Sequence, residues 1–282
     1  MLDTLIVTKR IVVITCFLLV GVHANVIAQT TQATEVKFCY EEQELTPYFM
    51  GSSRFPAKES PGVLIEMLYR LDEQFPGLKF TFYRAPWKRC LSDVSLNKAH
   101  AIVSSYSQER ASMAVFPIED GQVISQYAIS VSKYCLFTMR DSKLRWDGKA
   151  FSRQPQKPIA VPQGYSIVSM LNEHEQPLVF TNSSISAMEL LKKKRAEAAV
   201  TFCDSGAQFL WRQDDPSLGI IAQSPALSLR RGYLAFSKPF YQVNQDKVEQ
   251  LWKQIALIRN REFHLLLEKY DLLALGDQLE TR

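Results

Sequence analysis

The chain has 282 residues, which exceeds the length of an average domain and suits two lobes. Its hydrophobic content of 46% is sufficient for real cores, and its formal net charge of +4, with no basic run that alternates with aromatics, argues against a nucleic-acid partner. The 4 histidines are scattered and no cysteine pair shows metal-ligand spacing, so we expect no metal site and no cofactor.

The first residues have the pattern of a targeting signal. Lys9 and Arg10 precede an apolar stretch, residues 11–22, that is too short to span a bilayer comfortably, and small residues suited to cleavage follow before Gln29. We therefore predict a signal peptide over residues 1–28. An uncleaved amino-terminal anchor is the alternative.

The segment that follows alternates strands, loops and a helix. Residues 36–40 and 78–83 alternate apolar and polar side chains, as strands do. Residues 63–71 between them have the apolar stripe of a helix, and Pro76 marks the stop that follows. This order of strand, helix and strand predicts a parallel sheet.

Residues 86–111 contain the main ligand-binding candidates. Trp87 opens a short amphipathic helix, and the apolar run 101–103 is typical of a buried parallel strand. The chain then turns polar through several hydroxyls and Arg110, at the strand end where an open α/β sheet binds its ligands. Because hydroxyls and a guanidinium fork bind small anions, we predict an anion site here. A solvated loop with a surface arginine is the alternative.

The second half of the chain repeats the first in plan. Residues 158–161 form a strand that ends at a turn, and the helix after the turn presents free N–H groups suited to an anion. Gly164 in this turn permits close approach of the backbone to a ligand. A tight turn without a ligand is the alternative. A helix over residues 186–194 then precedes residues 195–200, which echo residues 98–103 of the first half.

The hexapeptide 105–110, Ser-Tyr-Ser-Gln-Glu-Arg, resembles the Ser-x-Thr-x-Glu-Arg motif of the family 3 extracellular solute-binding proteins, the periplasmic amino-acid-binding type. The chain resembles this family over nearly its whole mature length, although His100 stands where the family usually has Asp. The resemblance implies an α/β fold of periplasmic binding protein type II, in which each of two lobes is a mostly parallel sheet flanked by helices and two crossover strands form a hinge. It places lobe one at residues 35–133, lobe two at 134–234 and the return to lobe one at 235–276.

The resemblance also implies roles for single residues. Arg110 corresponds to the arginine that grips the carboxylate of the ligand in this family, with serine hydroxyls beside it. The turn of Gly164, Tyr165 and Ser166 resembles the family turn that closes on the ligand from lobe two.

The ammonium end of such a ligand has several candidate partners. The Asp that family members use corresponds to Asp204 only if the strand end is shifted by two residues, and Glu41 or Glu42 is the alternative. The aromatic lid of the family falls near Leu45, with Tyr48 just beyond the next proline. The predicted ligand-binding residues are Arg110, Ser104, Ser105, Ser107, Gly164, Tyr165, Ser166, Asp204, Glu42, Tyr48 and Trp87.

Removal of a signal peptide leaves four cysteines in an oxidising compartment, where disulfides form. Cys39 ends the first predicted strand, and Cys90 begins the helix that should lie over the same end of that sheet. We predict a Cys39–Cys90 disulfide, with two independent buried thiols as the alternative. The spacing leaves the partners of Cys135 and Cys203 open.

These features together predict a periplasmic binding protein and not an enzyme. We expect a monomer that closes on a small polar solute, an amino acid or a similar zwitterion, and delivers it to an ABC-type permease of the inner membrane. The alternative is an enzyme or a sensory or accessory module on the same scaffold, such as a dehydratase-like or murein-lytic accessory domain. No Ser-His-Asp, Cys-His or zinc pattern supports the enzyme.

Overall fold

The computed structural model of the chain describes residues 33–213 and 216–280, and the predicted signal peptide lies outside them. The strands are β1 (Thr34–Glu41), β2 (Leu78–Ala85), β3 (Ala101–Ser105), β4 (Ala114–Val115), β5 (Ile118–Glu119), β6 (Gln122–Val123), β7 (Ser130–Met139), β8 (Ile159–Pro162), β9 (Leu178–Thr181), β10 (Ala198–Phe202), β11 (Ile220–Ala222) and β12 (Ser228–Ser237). The helices are α1 (Val63–Gln74), α2 (Trp87–Ser95), α3 (Gln108–Met113), α4 (Ile167–Glu173), α5 (Ser184–Lys192), α6 (Cys203–Gln213) and α7 (Lys238–Glu280), the last kinked at Asn244.

Two groups of parallel strands form the sheet. β1 pairs in parallel with β2 and β3, and β8 pairs in parallel with β9 and β10. The full order is β2-β1-β3-β12-β7-β10-β8-β9. We call the first group, with α1, α2, α3 and α7, lobe one, and the second group, with α4, α5 and α6, lobe two. The parallel pairing confirms what the order of strand, helix and strand predicted.

The antiparallel strands β7 and β12 connect the lobes. Residues 228–232 of β12 pair with β7, whereas residues 232–236 pair with β3 of lobe one. Likewise, residues 134–138 of β7 pair with β10 of lobe two. Each connecting strand therefore changes partner near its middle, and we call that region the hinge.

Each lobe has its own apolar core. In lobe one, α1 packs with α7 on the β1–β3 sheet, and its predicted apolar stripe is buried. Trp252 of α7 donates its indole N–H to the carbonyl of Leu234 at 2.7 Å, which satisfies its one polar group in the core. A separate cluster in lobe two is built around β8, β10 and α4. The stripe residues of α1 are Leu64, Met67, Leu68 and Leu71.

Two disulfides are present among the described residues. The predicted Cys39–Cys90 bond joins β1 to α2 with a Cα–Cα distance of 5.5 Å. A second bond, whose partners the sequence left open, joins Cys135 of β7 to Cys203, the first residue of α6, at 4.9 Å. Both bonds attach a helix to a strand of the sheet. Within the described ranges, no helix is both long and apolar enough to cross a membrane.

Candidate functional site

A cavity of about 80 Å³ lies between the lobes, at the carboxyl ends of the parallel strands. The last residues of three such strands, Glu41 of β1, Ser105 of β3 and Phe202 of β10, all line it. Arg230 and Gly232 of β12 line it from the hinge. This is the position at which an α/β sheet of this kind binds its ligands.

Arg110 lies in the first turn of α3 and is only 7% exposed. One terminal nitrogen, Nη1, donates to the carbonyl and the hydroxyl of Ser105 at 3.1 and 2.7 Å, and Nη2 donates to the carbonyl of Gly164 at 2.7 Å. Burial lowers the pKa of Arg110, because a charged group loses its water there. All of these acceptors are uncharged, so they leave the positive charge in the cavity unneutralised.

Arg110 also lies near an aromatic ring from the same lobe. Its guanidinium carbon is 5.8 Å from the ring centroid of Trp87, within cation–π distance. The indole N–H of Trp87 donates to the carbonyl of Gly164 at 3.1 Å. That carbonyl of lobe two therefore accepts hydrogen bonds from two side chains of lobe one.

Glu41 is the acid that faces the cavity, and it is 4% exposed. Its Oε2 accepts a hydrogen bond from the hydroxyl of Tyr165 at 2.9 Å, and that hydroxyl also lies 3.2 Å from the Ser184 hydroxyl. Burial raises the pKa of Glu41 to about 7, against the smaller lowering effect of the Tyr165 bond. The carboxyl therefore changes charge near neutral pH.

The structure separates the two glutamates that the sequence left as alternatives. Glu41 ends β1 and points into the cavity, whereas Glu42 does not line it. The carbonyls of both residues accept hydrogen bonds from Nη1 of Arg84. Arg84 thus fixes the backbone where β1 leaves the sheet, a role that the sequence pattern had not indicated.

Four further hydrogen bonds close the cleft around this cavity or fix its walls. Across the lobes, the Ser105 hydroxyl donates to the Ser166 hydroxyl at 2.9 Å, and the Tyr48 hydroxyl donates to Oδ2 of Asp204 at 2.8 Å. The Ser205 hydroxyl donates to the carbonyl of Thr46 at 3.0 Å. Within lobe one, the Ser107 hydroxyl accepts from the backbone N–H of Arg110 at 3.2 Å and caps α3. The structure is therefore a closed arrangement of the two lobes.

Gly164 is required by geometry at the point where the lobes meet. Its φ of +81° lies in the left-handed region, and a Cβ there would lie 3.2 Å from Cδ1 of Trp87. Both the backbone angle and the close contact favour glycine. The close contact observed is with the opposite lobe, and the predicted approach of this turn to a ligand stays a prediction.

The predicted ligand-binding residues fall into three groups by position. Six line the cavity, four lie just behind its wall in hydrogen bonds or contacts with lining residues, and one lies elsewhere. The lining residues are Ser104, Ser105, Arg110, Tyr48, Trp87 and Tyr165; those behind the wall are Ser107, Gly164, Ser166 and Asp204; the other is Glu42. Their roles in binding stay predictions. Across the described residues, no group of three His, Cys, Asp or Glu side chains is placed to hold a metal ion.

Sequence reasoning missed Glu41 as the stronger acid candidate and did not consider Arg230. Glu41 is the last residue of β1, and strand alternation, counted from the buried Cys39, gives a signal for which face it takes. Arg230 lies two residues before Gly232 in the polar first half of β12, and no local pattern separates it from its neighbour Arg231.

No protein-family model matches the chain, and no curated protein matches its sequence. Solved structures match most of its length. A histidine kinase sensor domain with similarity to periplasmic binding proteins has a TM-score of 0.65 at 15% identity, over 85% of this chain and 96% of the other. The putative binding component of an ABC transporter from Wolinella succinogenes, complexed with lysine, has a TM-score of 0.64 at 14% identity, over 84% and 95%.

An ancestral amino-acid-binding protein, a precursor of cyclohexadienyl dehydratase, is also similar. It has a TM-score of 0.59 at 15% identity, over 84% of this chain and 94% of its own. The three similar structures thus come from proteins with different roles. Likeness at this level of identity establishes a shared fold.

Proposed function

We propose that this chain, which has the two-lobe fold of the periplasmic binding proteins, captures a small polar solute that carries a carboxylate. The observation that carries the proposal is the buried Arg110, whose charge faces the interlobe cavity and whose hydrogen-bond acceptors are uncharged. A buried charge is costly unless an opposite charge pairs with it. A carboxylate of the solute supplies that charge and matches the geometry of the guanidinium.

Glu41 on the same cavity supports a zwitterion, an amino acid or a similar molecule. Its carboxyl is buried and its bound partner is the neutral hydroxyl of Tyr165. An ammonium group of the solute would pair with the carboxylate and lower its pKa from about 7. Asp204, which accepts from Tyr48 across the cleft, stays as the second candidate for the ammonium.

Solute capture by closure fits the arrangement of the lobes. We infer lobe limits near residues 133 and 235, with β7 and β12 as the hinge, and we infer export to the periplasm through the predicted signal peptide. We further propose that the chain acts as a monomer and delivers the solute to an inner-membrane ABC permease; similarity to the binding component of an ABC transporter supports an ABC partner. No catalytic step is part of the proposal.

A second candidate function is ligand sensing. The similarity to the sensor domain of a histidine kinase, at a TM-score of 0.65, favours it. In that case the same cleft binds the solute, but the partner is a signalling protein and not a permease. Affinity capture of membrane proteins with the tagged chain as bait would separate the two candidates. Transport requires a bound permease, whereas sensing requires a bound signalling protein.

The first experiment identifies the solute and then removes Arg110. Native mass spectrometry on protein purified without denaturation should show a co-purifying carboxylate-containing solute, which calorimetry then titrates. Arg110→Ala should cost about 2–5 kcal/mol of binding because a desolvated charge loses its partner. Arg110→Lys should also lose much of the affinity, since a point charge does not reproduce the fork.

The control is Arg195→Ala, which removes an exposed arginine of lobe two and should leave affinity unchanged. Circular dichroism checks that each variant is folded. Binding by Arg110→Ala as tight as that of the parent protein would refute the carboxylate clamp. Turnover of the solute during the titration would instead favour the enzyme.

A further inference from the structure

Arg230 lies on the hinge strand β12 and lines the same cavity as Arg110. In the register of the hinge it pairs with Ser132 of β7, which also lines the cavity. Its Nε is buried and has no hydrogen-bond partner. The next residue, Arg231, is exposed, because successive side chains of a strand point to opposite faces.

Three other partly buried arginines of the described chain have protein partners for their guanidinium groups. Arg84 donates to three backbone carbonyls near the end of β1, and Arg259 donates to the carbonyl of Ala128 at 2.9 Å. Arg70 also has a buried Nε without a partner, but its Nη1 forms an ion pair with a glutamate of α7 at 2.6 Å. Arg230 is the one that lines the cavity, and its buried Nε has no partner. A buried donor without a partner carries the full cost of its lost hydration, so this nitrogen is unexplained by the fold alone.

The charges that line the cavity do not balance. Arg110 and Arg230 are both permanent cations, and the one acid among the described lining residues is Glu41. Burial is the main cause of the lowered pKa of Arg110, and repulsion from the charge of Arg230 is a small further one. Burial also holds Glu41 partly protonated near neutral pH. A solute with a single carboxylate neutralises Arg110 and leaves the second cation unpaired.

The surroundings of Arg230 suit an anion. Ser130 and Ser132 of β7 add two hydroxyls to this side of the cavity, and Ser130 is only 6% exposed. Gly232 lies so close to this wall that a Cβ on it would be 2.4 Å from the Ser130 hydroxyl oxygen. The absence of a side chain at Gly232 therefore leaves room for the Ser130 hydroxyl on this wall of the cavity.

We propose that Arg230 and the hinge serines form a second carboxylate subsite, so that the solute carries two carboxylates, one held by Arg110 and one at the hinge. The inference rests on the proposed function and narrows its solute to an acidic amino acid or a similarly small dicarboxylate. The cavity of about 80 Å³ restricts the two groups to a short separation. A solute of this kind would also contact residues of the two connecting strands, β7 and β12.

The test uses L-aspartate and L-glutamate with their amides, L-asparagine and L-glutamine, as calorimetric probes on solute-free protein. The acid should bind at least about tenfold more tightly than its amide, and Arg230→Ala should lower the affinity for the acid by roughly thirtyfold or more. Arg230→Ala should change the affinity for the amide far less than the affinity for the acid. Arg231→Ala is the matched control on the same strand and should change neither affinity.

Folding is checked by circular dichroism, and Arg230→Lys provides a second variant that keeps the charge and should lose less affinity than Arg230→Ala. Equal binding of acid and amide, no binding of either acid, or an unchanged acid affinity in Arg230→Ala overturns the second subsite. If the amides still bind in that case, and Arg110→Ala weakens their binding, the proposed function remains supported. Succinate, which has two carboxylates and no ammonium group, tests whether the ammonium contributes to binding. If succinate binds as tightly as L-aspartate, the second carboxylate subsite is supported and the proposal of a zwitterionic solute is rejected.

Discussion

Glu41 is a carboxyl group held away from water by the closed lobes. Its pKa is raised from 4.5 to about 7, chiefly by burial, so the folded protein prefers its protonated form. In the unfolded chain the group ionises near its usual pKa. Between these two values the folded state binds more protons than the unfolded state, and the free energy of unfolding must fall as the pH rises.

The first prediction is the pH dependence of stability that follows. The Glu41 contribution should be constant below about pH 4.5, decline as the pH rises, and level off above about pH 7. The full decline is at most roughly 3 kcal/mol. Denaturant unfolding of the parent and of Glu41→Gln across this range measures it, because the amide does not titrate.

The difference between parent and variant isolates Glu41 from other titrating groups. Tyr165→Phe is the companion variant, since it removes the hydrogen bond that Oε2 accepts. It should raise the pKa of Glu41 further and extend the decline to higher pH. Parallel stability curves for the parent and Glu41→Gln would show that the carboxyl is not buried in solution.

At the scale of elements, the turn before α4 brings lobe two into direct contact with lobe one. The Gly164 carbonyl accepts from both Arg110 and Trp87, and its Cα faces the Trp87 ring. A side chain at this position meets two obstacles, the left-handed backbone angle and the indole ring. The turn is therefore sensitive to a single methyl group.

Gly164→Ala should weaken solute binding by about 1–3 kcal/mol, through backbone strain and displacement of Trp87. Calorimetry with the identified solute measures the loss. Gly121→Ala is the matched control, because Gly121 has a similar φ of +76° but no atom within 4 Å of its Cβ position. Gly121→Ala should lower the free energy of unfolding through backbone strain and leave the solute affinity unchanged. Equal affinities for both variants would mean that the Trp87 contact has no role in closure.

At the scale of the whole molecule, the lobes are joined by two hinge strands and held together by side-chain hydrogen bonds across the cleft. The bonds from Trp87 and Arg110 to Gly164, from Ser105 to Ser166, and from Tyr165 to Glu41 all connect different lobes. Hydrogen bonds like these each contribute modestly, since water replaces them on opening, and the bond from Arg110 is the one with a permanently charged donor. We therefore expect a bound solute to add to the stability of the closed state.

We expect the solute to shift the molecule from an open to a closed form. Small-angle X-ray scattering should show a smaller radius of gyration after the solute is added to the parent protein. Arg110→Ala should show no change at the same solute concentration, since it lacks the charge that holds the carboxylate. An unchanged profile of the parent protein at saturation would refute hinge closure.

Local patterns determined the elements and several of their junctions. Alternation and helical periodicity located the strands and helices, because burial on one face follows the period of the backbone. The order of strand, helix and strand determined the parallel sheet, and the polar residues after β3 pointed to Arg110. The Cys39–Cys90 pair could be predicted because both elements lie at the same end of one parallel unit.

The tertiary structure alone decided which groups from distant segments meet. Glu41 and Tyr165 are separated by 124 positions, and Cys135 and Cys203 by 68, so no local pattern relates them. The register of β7 and β12 brings Arg230 to the cavity, and strand alternation turns Arg231 away from it. The charge balance of the cavity depends on these long-range contacts. The packing of the two lobes sets the burial and the partners of each side chain, and its neighbours in sequence do not.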